Sequence, residues 1–174
     1  TKKILVGPGI TNPYVRHPGI TASAIASLDE VSNGRSFIGL GAGGGLTLNP
    51  LGIERLKPVT TVSETVVALR GLFSGERVDL EGNEFSLKSA SLNYGRENIE
   101  IFLAGRGKRM TQLGAELGDG FYLSYINKDF LPGHLKSLRN AAKRDPFKIV
   151  YSTMIVSSQK EYEEARAALS YRLV

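Results

Sequence analysis

The chain has 174 residues, of which 41% are apolar and 22% charged, and a net charge of +5; this suits one core of ordinary size, roughly 100–200 residues. The lack of Cys excludes disulfides, thiolate metal sites and cysteine nucleophiles, and two His leave little for a histidine metal centre or a Ser-His-Asp triad, so redox work would need a borrowed cofactor. No apolar run approaches the ~20 residues of a membrane span and no signal-peptide order opens the chain, so a cytoplasmic protein without membrane partners is expected.

The apolar run Ile4-Leu5-Val6 predicts a first strand, which leaves into Gly7 to Pro18. Alternating Gly and Pro at a strand end bare the backbone N–H and C=O groups, an arrangement suited to a flat ligand laid against main chain. Within this loop Asn12, before Pro13, reads as a turn former first and a ligand contact second. His17, before Pro18, reads as fixing a helix start by a hydrogen bond rather than as a proton donor.

Ile20, Ala24, Leu28 and Val31 fall on one helical face, and Asn33-Gly34 tolerates the positive φ that ends a helix. Asp29, Glu30 and Arg35 flank that end, where ion pairing and strand anchoring are expected. A second strand spans Ser36 to Leu40. It runs into Gly39-Leu40-Gly41-Ala42-Gly43-Gly44, which matches G-x-G-x-x-G in letters only. A dinucleotide fold needs its helix to begin within that motif, whereas Thr47, Asn49, Pro50 and Gly52 follow and the next helix is expected near Thr61. A long glycine loop after a strand fits the ligand-binding face of a barrel, although tight packing alone also explains glycines.

Thr61 and Glu64 have the spacing of a capping box opening a helix with Val62, Val66, Leu69 and Phe73 on its apolar face. Arg77 to Leu80 and Glu84 to Leu87 alternate polar and apolar around Gly82-Asn83, a hairpin inserted at about 76–88 and laid outside the parallel sheet. Further strands are expected at Ile99 to Leu103, Gly120 to Leu123 and Ile149 to Val156. Helices are expected at Lys108 to Leu117, Pro132 to Lys143 and Ser158 to Leu173, the last with Ser158 and Glu161 as a capping box. Ala104-Gly105-Arg106-Gly107 leaves a strand directly into a helix, so free N–H groups, the positive helix end and Arg106 together suit a phosphate, or else make an ordinary turn. Asp119-Gly120 reads as a turn.

The densest basic pieces, Arg106-Gly107-Lys108-Arg109 and Lys143-Arg144, sit beside helix ends without interleaved aromatics, so a small phosphorylated cofactor is a better anion than nucleic acid. No linker or repeat interrupts the chain, which reads as a single domain over 1–174. Five strand–helix units predict parallel strands with right-handed crossovers. They are too few for the eight of a closed barrel but could also form an open doubly wound sheet; since both chain ends look cut, an incomplete (β/α) barrel is the first reading.

Pro8-Gly9-Ile10-Thr11-Asn12-Pro13-Tyr14 with Arg16-His17-Pro18, then Leu28 to Arg35, then Gly39 to Gly43, resemble the bacterial-luciferase-like superfamily. The nearest branch in that resemblance is the deazaflavin-dependent methylenetetrahydromethanopterin reductases, supported by Leu51-Gly52-Ile53, Lys57-Pro58, Glu76 to Phe85 and Ala104 to Gly120. The resemblance implies strands three to seven of a (β/α)8 TIM barrel, a non-prolyl cis peptide at a Gly9-Ile10 bulge, and hydride transfer between reduced coenzyme F-420 and a small carbon substrate. It implies that Gly9, Ile10, Thr11 and Asn12 hold the cofactor ring, that Gly41, Ala42 and Gly43 line the floor, and that Ala104, Gly105, Arg106 and Gly107 receive phosphate; it names no catalytic acid or base. Gly44 stands where those reductases carry an acidic residue, which bears on the pterin substrate more than on the cofactor. An FMN-dependent monooxygenase is the alternative, as is a degenerate flavin-binding relative that dimerises; a homo-oligomer is expected in either case.

Overall fold

Proline and asparagine set the limits of the first helix. In the computed structural model, which describes residues 2–152 and 155–170, helix α1 (Pro18–Ser32) has Pro18 at its first position and His17 at the cap, whose Nδ1 accepts from Gly19 N at 3.1 Å. Asn33 closes α1 in the left-handed region at φ 57°. The expected apolar face is corrected: Ile20 and Val31 are 62% and 84% exposed, while Ala22, Ile25 and Ala26 are buried. The small residues win because they let α1 approach its neighbours closely, whereas the larger row is left facing out.

Strand β1 (Phe37–Gly41) is followed by a four-residue helix, α2 (Gly45–Leu48), and a short 3-10 turn, so the next helix comes earlier than Thr61. Helix α3 (Pro58–Phe73) likewise begins before the expected capping box, because Pro58 presets the helical φ at the first position. Thr61 Oγ1 donates to the Lys57 carbonyl inside the helix, and Glu64 instead accepts from Asn83 N and Nδ2. The face of Val62, Val66, Leu69 and Phe73 is buried as the period requires.

Strands β2 (Val78–Glu81) and β3 (Ser86–Ala90) form a separate antiparallel pair. Phe85 and Leu87 bury against the core, and His17 Nε2 lies 3.1 Å from the Ser86 carbonyl, so the loop histidine fastens α1 to this pair. Strand β4 (Glu100–Ala104), helix α4 (Lys108–Leu117), strand β5 (Gly120–Ser124), helix α5 (Leu131–Ala141), strand β6 (Lys148–Ser152) and helix α6 (Gln159–Ser170) complete the order. The expected strand to Val156 runs partly over 153–154, and the expected last helix over 171–173, outside the described residues. Ser158 Oγ accepts from Glu161 N as a cap should, but the Glu161 carboxylate returns to Ser157 rather than to Ser158.

The main sheet is parallel in the order β1-β4-β5-β6. Ile38, Leu40, Ile101, Leu103, Phe121 and Leu123 point to the helices and are essentially fully buried, each contributing about 1.5–3 kcal/mol by leaving water. The alternate residues build the other face, where Phe37, Phe102 and Tyr122 contact one another with ring centroids 5.7–6.5 Å apart and Lys148 pairs with Glu100. The expected strand at Ile4 to Val6 is reduced to single parallel bridges, Val6 to Ser36 and Thr11 to Leu40, along the edge of β1 away from β4.

Candidate functional site

Those two bridges carry the geometry of the site. Five steps from Val6 to Thr11 run beside four from Ser36 to Leu40, so one extra residue is accommodated between Pro8 and Thr11. The bonds around it are good: Gly39 N donates to Pro8 O at 2.8 Å, Thr11 N to Gly39 O at 2.8 Å and Gly41 N to Thr11 O at 2.9 Å. Pro8 offers no N–H to the ladder, and the surplus residue is taken up as a parallel bulge at Gly9-Ile10.

The bulge leans over Gly39. A Cβ at Gly39 would lie 2.7 Å from Pro8 O and 3.3 Å from Gly9 Cα, so only glycine leaves room for main chain there. The expected cis bond at Gly9-Ile10 is corrected: the cis peptide among the described residues is Asp145-Pro146. With the flanking ladder closed around the bulge in the trans form, nothing forces an isomer that costs ~3–4 kcal/mol at a non-prolyl bond.

At the C-terminal ends of β1, β4 and β5 lies an open cavity of about 640 Å³. Ile10, Thr11, Asn12, Gly41, Ala42, Gly43, Ala104, Gly105, Arg106 and Gly107 all line it. Gly9 does not, but sits beneath it, where an added Cβ would be 3.3 Å from the Tyr122 hydroxyl. Three loops far apart in sequence thus converge because the parallel register brings Gly41 level with Ala104 and Ala104 level with Tyr122.

Asn12 is a turn former as expected, its Oδ1 accepting from Tyr14 N and Val15 N at 3.1 and 3.2 Å. It also touches the next loop: a Cβ at Gly43 would meet Asn12 Cγ at 3.3 Å and Leu48 Cδ1 at 2.8 Å, and Gly43 has φ 68°. Arg55 Nη1 donates to the Gly43 carbonyl at 2.6 Å and ties this loop to the start of α3. Tyr14 donates to the Leu56 carbonyl at 2.6 Å, and burial raises its hydroxyl pKa. Burial likewise raises that of Tyr122, so both stay neutral donors near pH 7.

Across the cavity, Gly107 caps α4 without a side-chain bond and no acidic residue occupies the first turn. The N–H groups there, the positive helix end and the exposed Arg106 face open space. Among the described residues, the lining holds two guanidinium groups, Arg55 and Arg106, and no carboxylate. An anionic ligand fits, and the bare backbone from Ile10 to Asn12 supplies a flat wall. Arg55, Thr47, Pro58, Met110, Tyr122 and Ser124 are lining residues that the sequence reading missed. The alternation Gly120, Tyr122, Ser124 on one face of β5 was the available signal for two of them.

Asp119 is no simple turn. At the opposite end of the sheet, beside a cavity of about 810 Å³, it accepts from Arg70 Nη2 at 2.6 Å and Ile101 N at 2.7 Å and pairs with Arg144 at 3.3 Å. It clamps the starts of β4 and β5, as the N-terminal face of a parallel sheet requires for stability.

Known proteins resemble this chain in sequence and in fold. The chain is 38% identical over 174 residues to a 5,10-methylenetetrahydromethanopterin reductase of Archaeoglobus fulgidus, covering 97% of this chain and 52% of that one. It is 33% identical over 172 residues to the enzyme of the same name from Methanolobus tindarius, covering 97% and 53%. The chain therefore spans about half the length of these curated relatives. The solved structure of the coenzyme F-420-dependent tetrahydromethanopterin reductase of Methanopyrus kandleri superposes with a TM-score of 0.76 at 30% identity, over 88% of this chain and 50% of that one. No helix among the described residues is long and apolar enough to cross a membrane. The luciferase-like monooxygenase family model matches residues 1–174 from end to end, and by that match together with these identities the chain belongs to the luciferase-like family.

Proposed function

We propose that this chain is the central part, strands three to seven, of a (β/α)8 barrel reductase that moves hydride between coenzyme F-420 and a small carbon substrate, a reading supported by relatives named methylenetetrahydromethanopterin reductase and a solved relative named as coenzyme F-420-dependent. The observation that carries the reading is the bulged main chain over Gly39, facing a cavity whose charged lining is basic. The residues fit the cofactor in two respects. Bare backbone at Gly9 to Asn12 can take a planar ring, and the uncapped start of α4 with Arg106 can take a phosphodiester.

Coenzyme F-420 supplies the hydride chemistry when bound. The protein's part is to hold the ring against Gly9, Ile10, Thr11 and Asn12, with Gly41, Ala42 and Gly43 as the floor, and to keep the reacting face dry. Tyr122, on the aromatic face with Phe37 and Phe102, backs the bulge, its hydroxyl set beneath Gly9. Ala104, Gly105, Arg106 and Gly107 receive the phosphate. FMN would meet the same wall and the same phosphate cradle, and remains the rival ligand.

Changing Arg106 to Ala should weaken F-420 by about 0.5–1 kcal/mol, the range of an exposed charge contact, and leave the phosphate-free deazaflavin unchanged. Fluorescence titration reads both. Equal losses for the two ligands assign Arg106 to the fold instead.

The reading of the fold is tested on the 174-residue chain by itself. The outer edges of the Val6 to Thr11 segment and of β6, and the face bearing Phe37, Tyr122 and Val150, lack the strands that close a barrel, and Ile4, Leu5 and Val6 are 39–60% exposed. Light scattering should find self-association, and turnover of reduced F-420 should be absent. A soluble monomer that turns over the cofactor would favour a self-contained open sheet.

A further inference from the structure

Arg106 belongs to two cavities. Besides the site described above, it closes one end of a groove of about 650 Å³ between α4 and α5. Lys108 lies two residues beyond it on α4, and Lys143 closes the far side just past α5. The backbone of Lys143 is fastened to α4, its N–H donating to the Ala115 carbonyl at 2.9 Å, so the two helices hold the two lysines on one furrow. Among the described residues none of Arg106, Lys108 and Lys143 has a carboxylate partner. The one acidic lining residue, Glu116, is already bonded by Gln112 Nε2 at 2.9 Å. Thr111, whose hydroxyl donates to the Gly107 carbonyl at 3.2 Å, and Ser137 add hydroxyl groups to the lining, and Phe130, 67% exposed, flanks the groove.

A furrow of unpaired cations that starts at a phosphate cradle calls for a ligand whose negative charge continues past its phosphate. We propose that the α4–α5 groove is a subsite for the acidic tail of the cofactor, the chain of γ-linked glutamates that follows the phosphodiester of coenzyme F-420. The inference rests on the F-420 reading of the main cavity and adds to it a means of choosing between deazaflavin and FMN. FMN ends at its phosphate and carries no further carboxylate to offer Lys108 and Lys143. A tailed cofactor places successive carboxylates against Lys108 and Lys143, while Thr111 and Ser137 meet the amide groups between them.

The test compares F-420 carrying a long glutamate tail, F-420 trimmed to one glutamate, and FMN, by fluorescence titration at low salt against the chain and its Lys108→Glu, Lys143→Glu double variant. Long-tailed F-420 should lose about tenfold in affinity in the variant, which two exposed ion pairs can together supply. Trimmed F-420 and FMN should change by less than about threefold, and added salt should erase the difference. Equal losses for long and trimmed tails, or no loss, overturn the proposal. A second arm titrates free γ-linked tetraglutamate into the ligand-free chain and follows the amide signals of α4 and α5 by NMR. Perturbation along the groove that the double variant abolishes supports the subsite even if F-420 fails to bind, in which case the cofactor reading alone falls. No perturbation in the unaltered chain overturns the subsite.

Discussion

Replacing Asp29 by Ala should destabilise the protein by about 1–3 kcal/mol, the cost of leaving the donors around a buried carboxylate without their acceptor. Asp29 is 6% exposed, and its carboxylate accepts from Arg96 Nε and Nη2 at 2.7 and 2.8 Å and from Ser36 N and Oγ at 3.1 and 2.8 Å. One side chain thereby ties the end of α1 to the residue before β1 and to the segment leading into β4. The same contacts, the Arg96 bond foremost, lower its pKa from 3.8 to about 2.

A depressed carboxylate pKa stabilises the fold above the unfolded value and ceases to do so as pH falls through the folded one. The loss therefore falls between about pH 4 and pH 2 and amounts to about 2 kcal/mol. Urea midpoints measured down this range should fall for the unaltered chain and be flatter for Asp29→Asn. Parallel pH profiles would remove Asp29 from the account of acid stability.

The second large effect is expected at Gly39. A side chain there meets main chain, the Pro8 carbonyl at 2.7 Å, and neither neighbour can turn away as a flexible side chain would. Gly39→Val should cost about 1–3 kcal/mol by overpacking and, by displacing the bulge, should lower F-420 affinity by at least about tenfold, or 1.4 kcal/mol. Gly44→Ala is the matched control: it lies on the cavity wall at an ordinary φ of −121°, and an added Cβ meets nothing within 4 Å. Calorimetry and fluorescence titration on the two variants separate packing from binding. Unchanged F-420 affinity in Gly39→Val would detach the ligand wall from the bulge.

The loops that meet at the cavity were legible because their signal is local. Gly9 to Asn12, Gly41 to Gly43 and Ala104 to Gly107 are strand ends written in Gly, Pro and Asn, and parallel pairing of their strands suffices to bring them together. Arg55 was not legible, since its bond to Gly43 depends on how the 3-10 turn after α2 folds back toward α3. The partner of Asp29 lies 67 residues away, a separation at which charge spacing carries no information. On α1 two apolar rows compete at the same period, and only packing shows that Ala22 and Ala26, not Ile20 and Val31, turn inward. The cis bond expected at Gly9-Ile10 came from the family resemblance alone, while the bulge itself is also recorded in the register of the bridges.

The surplus residue between Pro8 and Thr11 also reverses parity. Without it Ile10 would stand opposite Leu40, and the edge segment would join β1 as an even, uninterrupted neighbour. A lineage that lost either Gly9 or Ile10 would thus gain a longer ladder and forfeit the raised backbone over Gly39. Ladder length and bare backbone are therefore alternatives at this one position, and a chain shortened by one residue between Pro8 and Thr11 should gain the first and lose the second.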